Sequence, residues 1–247
     1  MRRLIWMPLY LFFLLLMAAG FVPAIAQMMG GPFNGPGGGS HGGHDGEAYG
    51  VPAGSANHGR QIVAAKCAAC HGADGNSTDP QFPKLAGQNP SYLYDQILAF
   101  KTKKRPSAVM TPMVAALSDS DAAAIASFYS EQVIRPDRIK DLNLRQKGEQ
   151  IFVGHAGLDV PACAMCHGRG GASLQMTRMM HMMGRGMMAP IPNLYGQHAS
   201  YIVKQLNDFA TGRRQGAMMN GAMMNRIAPA LSEPDRKAVA AYLSSLH

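Results

Sequence analysis

Cysteine is scarce in this 247-residue chain: there are four, all inside two short motifs. No run of residues reads as a β-strand. No Lys/Arg-rich cluster carries the interleaved aromatics that mark a nucleic-acid surface. No nucleophile, base and orienting acid stand in a catalytic pattern. Acidic residues are few, 15 against 23 Lys and Arg, for a formal charge of +8. These absences exclude a sheet-based fold and a nucleic-acid partner. They leave an all-α protein whose chemistry rests on the cysteine motifs.

The pentapeptide Cys67-Ala68-Ala69-Cys70-His71 recurs ninety-six residues later as Cys163-Ala164-Met165-Cys166-His167. C-x-x-C-H is the attachment signature of c-type haem: two thiols form thioethers to the porphyrin and the adjacent His ligates the iron. A four-Cys zinc site explains neither trailing histidine. A thioredoxin-like pair needs a βαβ context, which is absent. Disulfides within each pair again leave His71 and His167 without a role. The motifs predict two covalent haems.

Arg2 and Arg3 precede an apolar run from Leu4 to Val22, and Ala24-Ile25-Ala26 offers a small-residue cleavage site. This is the layout of a secretory signal over 1–26, with an uncleaved anchor as the rival reading. Either places the remainder outside the cytoplasm, in the periplasm. No cysteine adjoins the cleavage site, so a lipoprotein anchor is excluded. Residues 27–56 form a Gly-rich, Pro-containing linker with a His41-Gly42-Gly43-His44 tract. Loss of Arg2 and Arg3 with the signal leaves a charge of +6, which suits docking on acidic redox partners or an anionic membrane surface.

The tract Gly59–Gln132 reads again from Gly148 to Leu246. Each copy opens with an amphipathic stretch and then presents its haem motif. Pro83-Lys84-Leu85-Ala86-Gly87-Gln88 follows in the first, matched by Pro192-Asn193-Leu194-Tyr195-Gly196-Gln197. Tyr92, Leu93, Gln96, Ile97 and Phe100 then sit at helical spacing, echoed by Tyr201, Ile202, Gln205, Leu206 and Phe209. Asn89-Pro90 reads as an N-cap with Pro at N1. Ser118 and Ser232, each with an Asp three residues on, read as capping boxes for a closing helix. The expected layout is a first domain over 57–133, a linker over 134–143 and a second domain over 144–247. Each unit is small, and a covalent haem supplies apolar mass to its core.

A His-ligated haem has one axial position left, and Met there suits electron transfer. Met110 and Met224 each lie eight residues before the capping serine, which makes them the candidate axial ligands. Met113 and Met223 are the alternatives. The backbone carbonyls of Pro83 and Pro192 are candidate acceptors for the second ring nitrogen of the proximal histidines.

On these motifs the chain resembles the diheme cytochromes c of the c4 type, two class I cytochrome c domains in tandem. The resemblance is carried by Cys67 to Gly72, Gly75-Asn76-Ser77, Phe82 to Gln88, Met110-Thr111 and Leu117-Ser118-Asp119. In the second copy Pro161-Ala162-Cys163, Cys166-His167-Gly168, Leu194, Gly196-Gln197-His198 and Leu231-Ser232 carry it. It implies His/Met ligation of both irons. It also implies electron transfer, often at the membrane, from a quinol-oxidising complex or dehydrogenase to a terminal oxidase or other acceptor. Two other classes compete: a diheme redox enzyme of the peroxidase or thiosulfate-oxidising type, and a copper-binding haem protein. The last rests on an insertion over 171–190 in the second copy. Seven of the thirteen residues from Met176 to Met188 are Met. Met176, Met179, Met180, His181, Met182 and Met183 form a sulfur-rich set suited to Cu(I). Methionine at this density also makes an adaptable contact surface.

Overall fold

The computed structural model describes residues 54–154, 157, 160–168, 171, 190–214 and 218–247, with the backbone alone over 218–221. The export signal, the tract with His41 and His44, and the Met-rich set Met176, Met179, Met180, His181, Met182 and Met183 lie outside the described residues. Within them all regular structure is helical, as the sequence predicts. None of these helices is long and apolar enough to cross a membrane.

The first unit opens with α1 (Ala56–Ile62), N-capped by the Ser55 hydroxyl. It runs through a π-helical turn (Val63–Cys67) into α2 (Ala68–His71). Then come α3 (Pro90–Lys101), α4 (Met110–Val114) and α5 (Asp119–Ser130). The second unit contains α6 (Leu142–Val153), α7 (Ala164–His167), α8 (Ala199–Ala210), α9 (Met218–Ile227) and α10 (Glu233–Ser244). A 3-10 turn (Ala228–Ala230) leads from α9 towards α10.

The helix starts follow from local chemistry. Ser118 and Ser232 complete reciprocal capping boxes with Asp121 and Asp235, closing orphan N–H groups at the start of α5 and α10. Asn89 Oδ1 accepts from Ser91 and Tyr92 N–H ahead of Pro90 in α3. The matching cap on α8, His198, makes no such bond, because its ring is used elsewhere.

Each unit has its own apolar core. Val63, Leu93, Ile97, Val114, Ile125, Phe128 and Tyr129 build the first. Ile151, Phe152, Ile202, Leu206, Val239 and Leu243 build the second. Burial of each large side chain contributes about 1.5–3 kcal/mol. In both units the opening helix packs against the closing helix, and the helix after the Pro loop packs on that closing helix too. Glycine permits the first contact. A Cβ at Gly59 would lie 2.0 Å from Ala124 O, and one at Gly148 would lie 1.9 Å from Ala238 O.

Polar side chains join the units. Gln88 clasps the Asn193 backbone, donating to its carbonyl at 2.8 Å and accepting from its N–H at 2.7 Å. Gln197 does the same to Lys84, at 2.8 and 2.9 Å. The connecting segment is pinned between them. Asp137 N–H donates to Ser244 O, and Asn76 holds the backbone of Val133 and Arg135 through both ends of its amide. The Asp137 carboxylate accepts from Lys84 Nζ at 2.7 Å and His198 Nδ1 at 3.0 Å, while His198 Nε2 donates to Ser77 O at 2.9 Å. The stretch read as a linker is thus pinned at Arg135 and Asp137, and its last two residues open α6.

Candidate functional site

The His of each haem motif ends a short helix and is followed by a glycine at positive φ, 81° at Gly72 and 73° at Gly168. That left-handed turn swings the chain away from the imidazole at little steric cost. His71 and His167 are buried. Nδ1 of His71 donates to Pro83 O at 2.9 Å, and Nδ1 of His167 donates to Pro192 O at 3.2 Å. A carbonyl can only accept, so Nδ1 carries the proton and Nε2 presents its lone pair. Among the described residues no hydrogen bond engages either Nε2. Burial pushes both imidazoles below the usual range and outweighs the opposing Pro83 and Pro192 bonds, so the rings stay neutral, the form that ligates.

The acceptor loops are held rigidly. Leu85 N–H donates to Gly75 O at 2.7 Å, and Gly87 N–H donates to Tyr129 O at 2.9 Å. Leu194 to Gly171 O and Gly196 to Leu243 O repeat this in the second unit, at 2.7 and 2.9 Å. Each loop is thus tied to the glycine turn behind its own histidine and to its own closing helix. The Phe82 ring meets His71 edge-on at 6.2 Å.

All four cysteines are half-buried, and no disulfide joins either pair. Burial raises the Cys67 thiol, and it pushes Cys163 up to about 11. Among the described residues no three His, Cys, Asp or Glu side chains gather as a metal-holding group, so the two C-x-x-C pairs do not converge on one zinc site.

Met110, at the start of α4, packs on the same core as Cys67. Met224, on α9, packs on the same core as Cys163. Met113 and Met223 instead stand 45% and 42% exposed. Among the described residues two buried hydroxyls of the first unit have no hydrogen-bond partner, Ser91 Oγ and Tyr129 Oη; burial, followed by the nearby Cys67 and Asp74, raises the Tyr129 pKa. Sequence reading gives Tyr129 only as part of an apolar helix face and Phe82 only as part of the family motif; their neighbours in space give them a place beside the haem motif.

These residues fit a c-type haem. Each unit offers two thiols on one short segment, a neutral imidazole with a free Nε2 and a methionine sulfur on the same core. Bound there, haem c supplies a one-electron Fe(III)/Fe(II) couple. The Pro83 and Pro192 carbonyls fix ring orientation and raise ligand basicity. Two all-helical units built this way define a tandem class I cytochrome c.

Comparison with known proteins agrees. The cytochrome c family matches residues 56–131 and 146–247. Cytochrome c4 of Pseudomonas aeruginosa is 40% identical over 188 residues, spanning 76% of this chain and 87% of that protein. The crystal structure of reduced cytochrome c4 from Pseudomonas stutzeri superposes with a TM-score of 0.68 at 36% identity, covering 79% of this chain and all of that one. A protein of Thiomonas intermedia named thiosulfate dehydrogenase electron acceptor is 31% identical over 186 residues, 74% of this chain and 79% of its own length. The chain belongs to the cytochrome c4 family of diheme electron-transfer proteins.

Proposed function

We propose that this chain is an exported diheme carrier working in the periplasm. Cys67, Cys70, His71 and Met110 hold its first haem, and Cys163, Cys166, His167 and Met224 hold its second. The observation that supports this ligand set is the sorting of the methionines. In each unit the one in register with the capping serine packs with the haem cysteine, and its neighbour faces solvent. Met as the second axial ligand raises the reduction potential and leaves no open coordination position, which suits transfer rather than catalysis.

Electrons enter from a quinol-oxidising complex or a dehydrogenase and leave to a terminal oxidase or other acceptor. The similarity to a protein named as the electron acceptor of a thiosulfate dehydrogenase supports a dehydrogenase donor. In that arrangement the chain receives the electrons and the partner performs the oxidation. The signal-like residues 1–26 support export, and the basic charge supports docking on acidic partners and on an anionic membrane surface.

A potentiometric titration followed by visible spectra tests this reading. Two one-electron waves are expected, both with His/Met spectra and neither altered by carbon monoxide. Binding of carbon monoxide to either reduced haem would reveal an open axial position and favour a redox enzyme.

A further inference from the structure

The repeat sets a tyrosine and a leucine at the same place on the two closing helices. Gly87 N–H donates to Tyr129 O in the first unit, and Gly196 N–H donates to Leu243 O in the second, both at 2.9 Å. The glycine turns behind the histidines agree. A Cβ at Gly75 would lie 2.8 Å from Tyr129 Cδ1, and one at Gly171 would lie 3.2 Å from Leu243 Cδ2. The preceding residues match as well: Phe128 Cβ would lie 2.9 Å from a Cβ at Gly59, and Tyr242 Cβ 2.9 Å from one at Gly148. Three separate contacts thus equate Tyr129 with Leu243. Both are closed to solvent, at 0% and 1% exposure.

What the two positions do not share is a hydroxyl. Leu243 needs no polar partner. Tyr129 Oη needs one and has none among the described residues. A buried group left unmade costs about 1–3 kcal/mol, and native interiors keep few of them. Its surroundings point to the haem site. Cys67 and Met110 pack on the same core, and the ring lies against the turn that follows His71. Burial, then Cys67, then Asp74 raise the phenol, so it keeps its proton and acts as a donor. The described residues supply no acceptor, and the group that the Cys67 and Cys70 thiols attach does.

We propose that Tyr129 sets the potential of the first haem alone: its hydroxyl donates to an electron-rich atom that haem attachment places beside Cys67, and the second unit, with Leu243, has no equivalent. This rests on the diheme reading above. The ligand types are the same in both units, a His backed by a prolyl carbonyl and a Met packed on the core. A difference between the irons therefore comes from what surrounds the ligands. A hydrogen bond donated to the haem or its attachment withdraws electron density and favours Fe(II), one of the levers a protein has on the couple. The hydroxyl raises the first potential above the value the same pocket would give without it.

The test compares wild-type holoprotein with Tyr129→Phe and Tyr129→Leu, with haem content measured by pyridine haemochrome. The variant lacking Cys67 and Cys70 keeps only the second haem, which assigns the two waves of a potentiometric titration. Tyr129→Phe keeps the ring and removes one oxygen. It is expected to lower the first potential by about threefold in the reduction equilibrium, roughly 28 mV at about 59 mV per tenfold for a one-electron couple. The second wave should stay in place. Tyr129→Leu installs the residue of the second unit and should move the first wave the same way. Melting gives an independent readout. A hydroxyl satisfied at the haem makes Tyr129→Phe neutral or destabilising, whereas an orphan makes it stabilising. Two haems with the first potential unmoved would overturn the assignment, and a raised melting temperature in that variant would show the hydroxyl to be an orphan. A shift of both waves would overturn its confinement to the first haem. Fewer than two haems in the wild-type protein would overturn the diheme reading, and this inference with it.

Discussion

Gly148→Ala isolates the contact on which the second unit depends. The new Cβ would lie 1.9 Å from Ala238 O and 2.5 Å from Ala238 C. Both are backbone atoms of α10, so no rotamer change relieves the overlap. Ordinary contact begins near 3.4 Å, and α6 and α10 would have to part by about 1.5 Å. That opening loosens Phe152, Val239 and Leu243, all nearly inaccessible in the core. Alanine favours helix over glycine by about 1 kcal/mol. Overpacking at a rigid contact, with the surrounding core opened, exceeds this and leaves a net loss of about 2–4 kcal/mol. For a unit of this size the melting temperature should fall by roughly 10–25 °C. The assay is thermal denaturation of the holoprotein followed at the haem Soret band and by helical circular dichroism. The early transition should carry the spectral change of the second haem alone. A melting curve within a few degrees of wild type would refute the reasoning and show that the helices can separate without loss.

Met110→Ala should remove part of the weak sulfur-to-iron band of the oxidised spectrum and Met224→Ala the remainder; loss of the band in Met113→Ala or Met223→Ala would reverse the ligand assignment. Replacing Cys67 and Cys70 together with alanine should leave one haem per chain by pyridine haemochrome and destabilise the first unit. Gln88→Ala removes the two hydrogen bonds that its amide makes to the Asn193 backbone across the junction. The cost is about 2–4 kcal/mol of interface stability, read as separation of one calorimetric transition into two; an unchanged transition would count against the clasp. Asp121 is held at about 2, first by the Ser118 N–H and then by His58. Its folded pKa lies below its unfolded value, so its contribution is present above about pH 4 and is lost as pH falls toward 2. Asp121→Asn should therefore lower the melting temperature at neutral pH and converge with wild type near pH 2, whereas a constant offset across that window would contradict the capping role.

The sequence by itself determined whatever depends on neighbours along the chain. The two C-x-x-C-H motifs are legible because both thiols and the imidazole come from a single short segment. The Ser118 and Ser232 boxes and the Asn89-Pro90 cap are legible because a helix start is satisfied within three residues. Register against those serines singles out Met110 and Met224, and the core adds that Met113 and Met223 are exposed. Tertiary structure alone decided the junction. Sequence reading gives Gln88 and Gln197 only as parts of the repeated loop and Tyr92 and Gln96 only as parts of the repeated helical pattern, and it assigns nothing to Arg105. Their partners lie about a hundred residues away and arrive only through rigid docking of the second unit. His198 enters the sequence reading only within the Gly196-Gln197-His198 motif; in the structure it stands at the N-cap of α8 and its ring goes to Asp137 and Ser77. Asp137 sits in a stretch that composition marks as a linker. Gly59 and Gly148 carry no local sign that a helix crosses there, because glycine in a helix looks the same whether it is tolerated or required. The physical reason is common to all: local periodicity reports which face of a helix is apolar, while the use of the polar face depends on what another body brings against it.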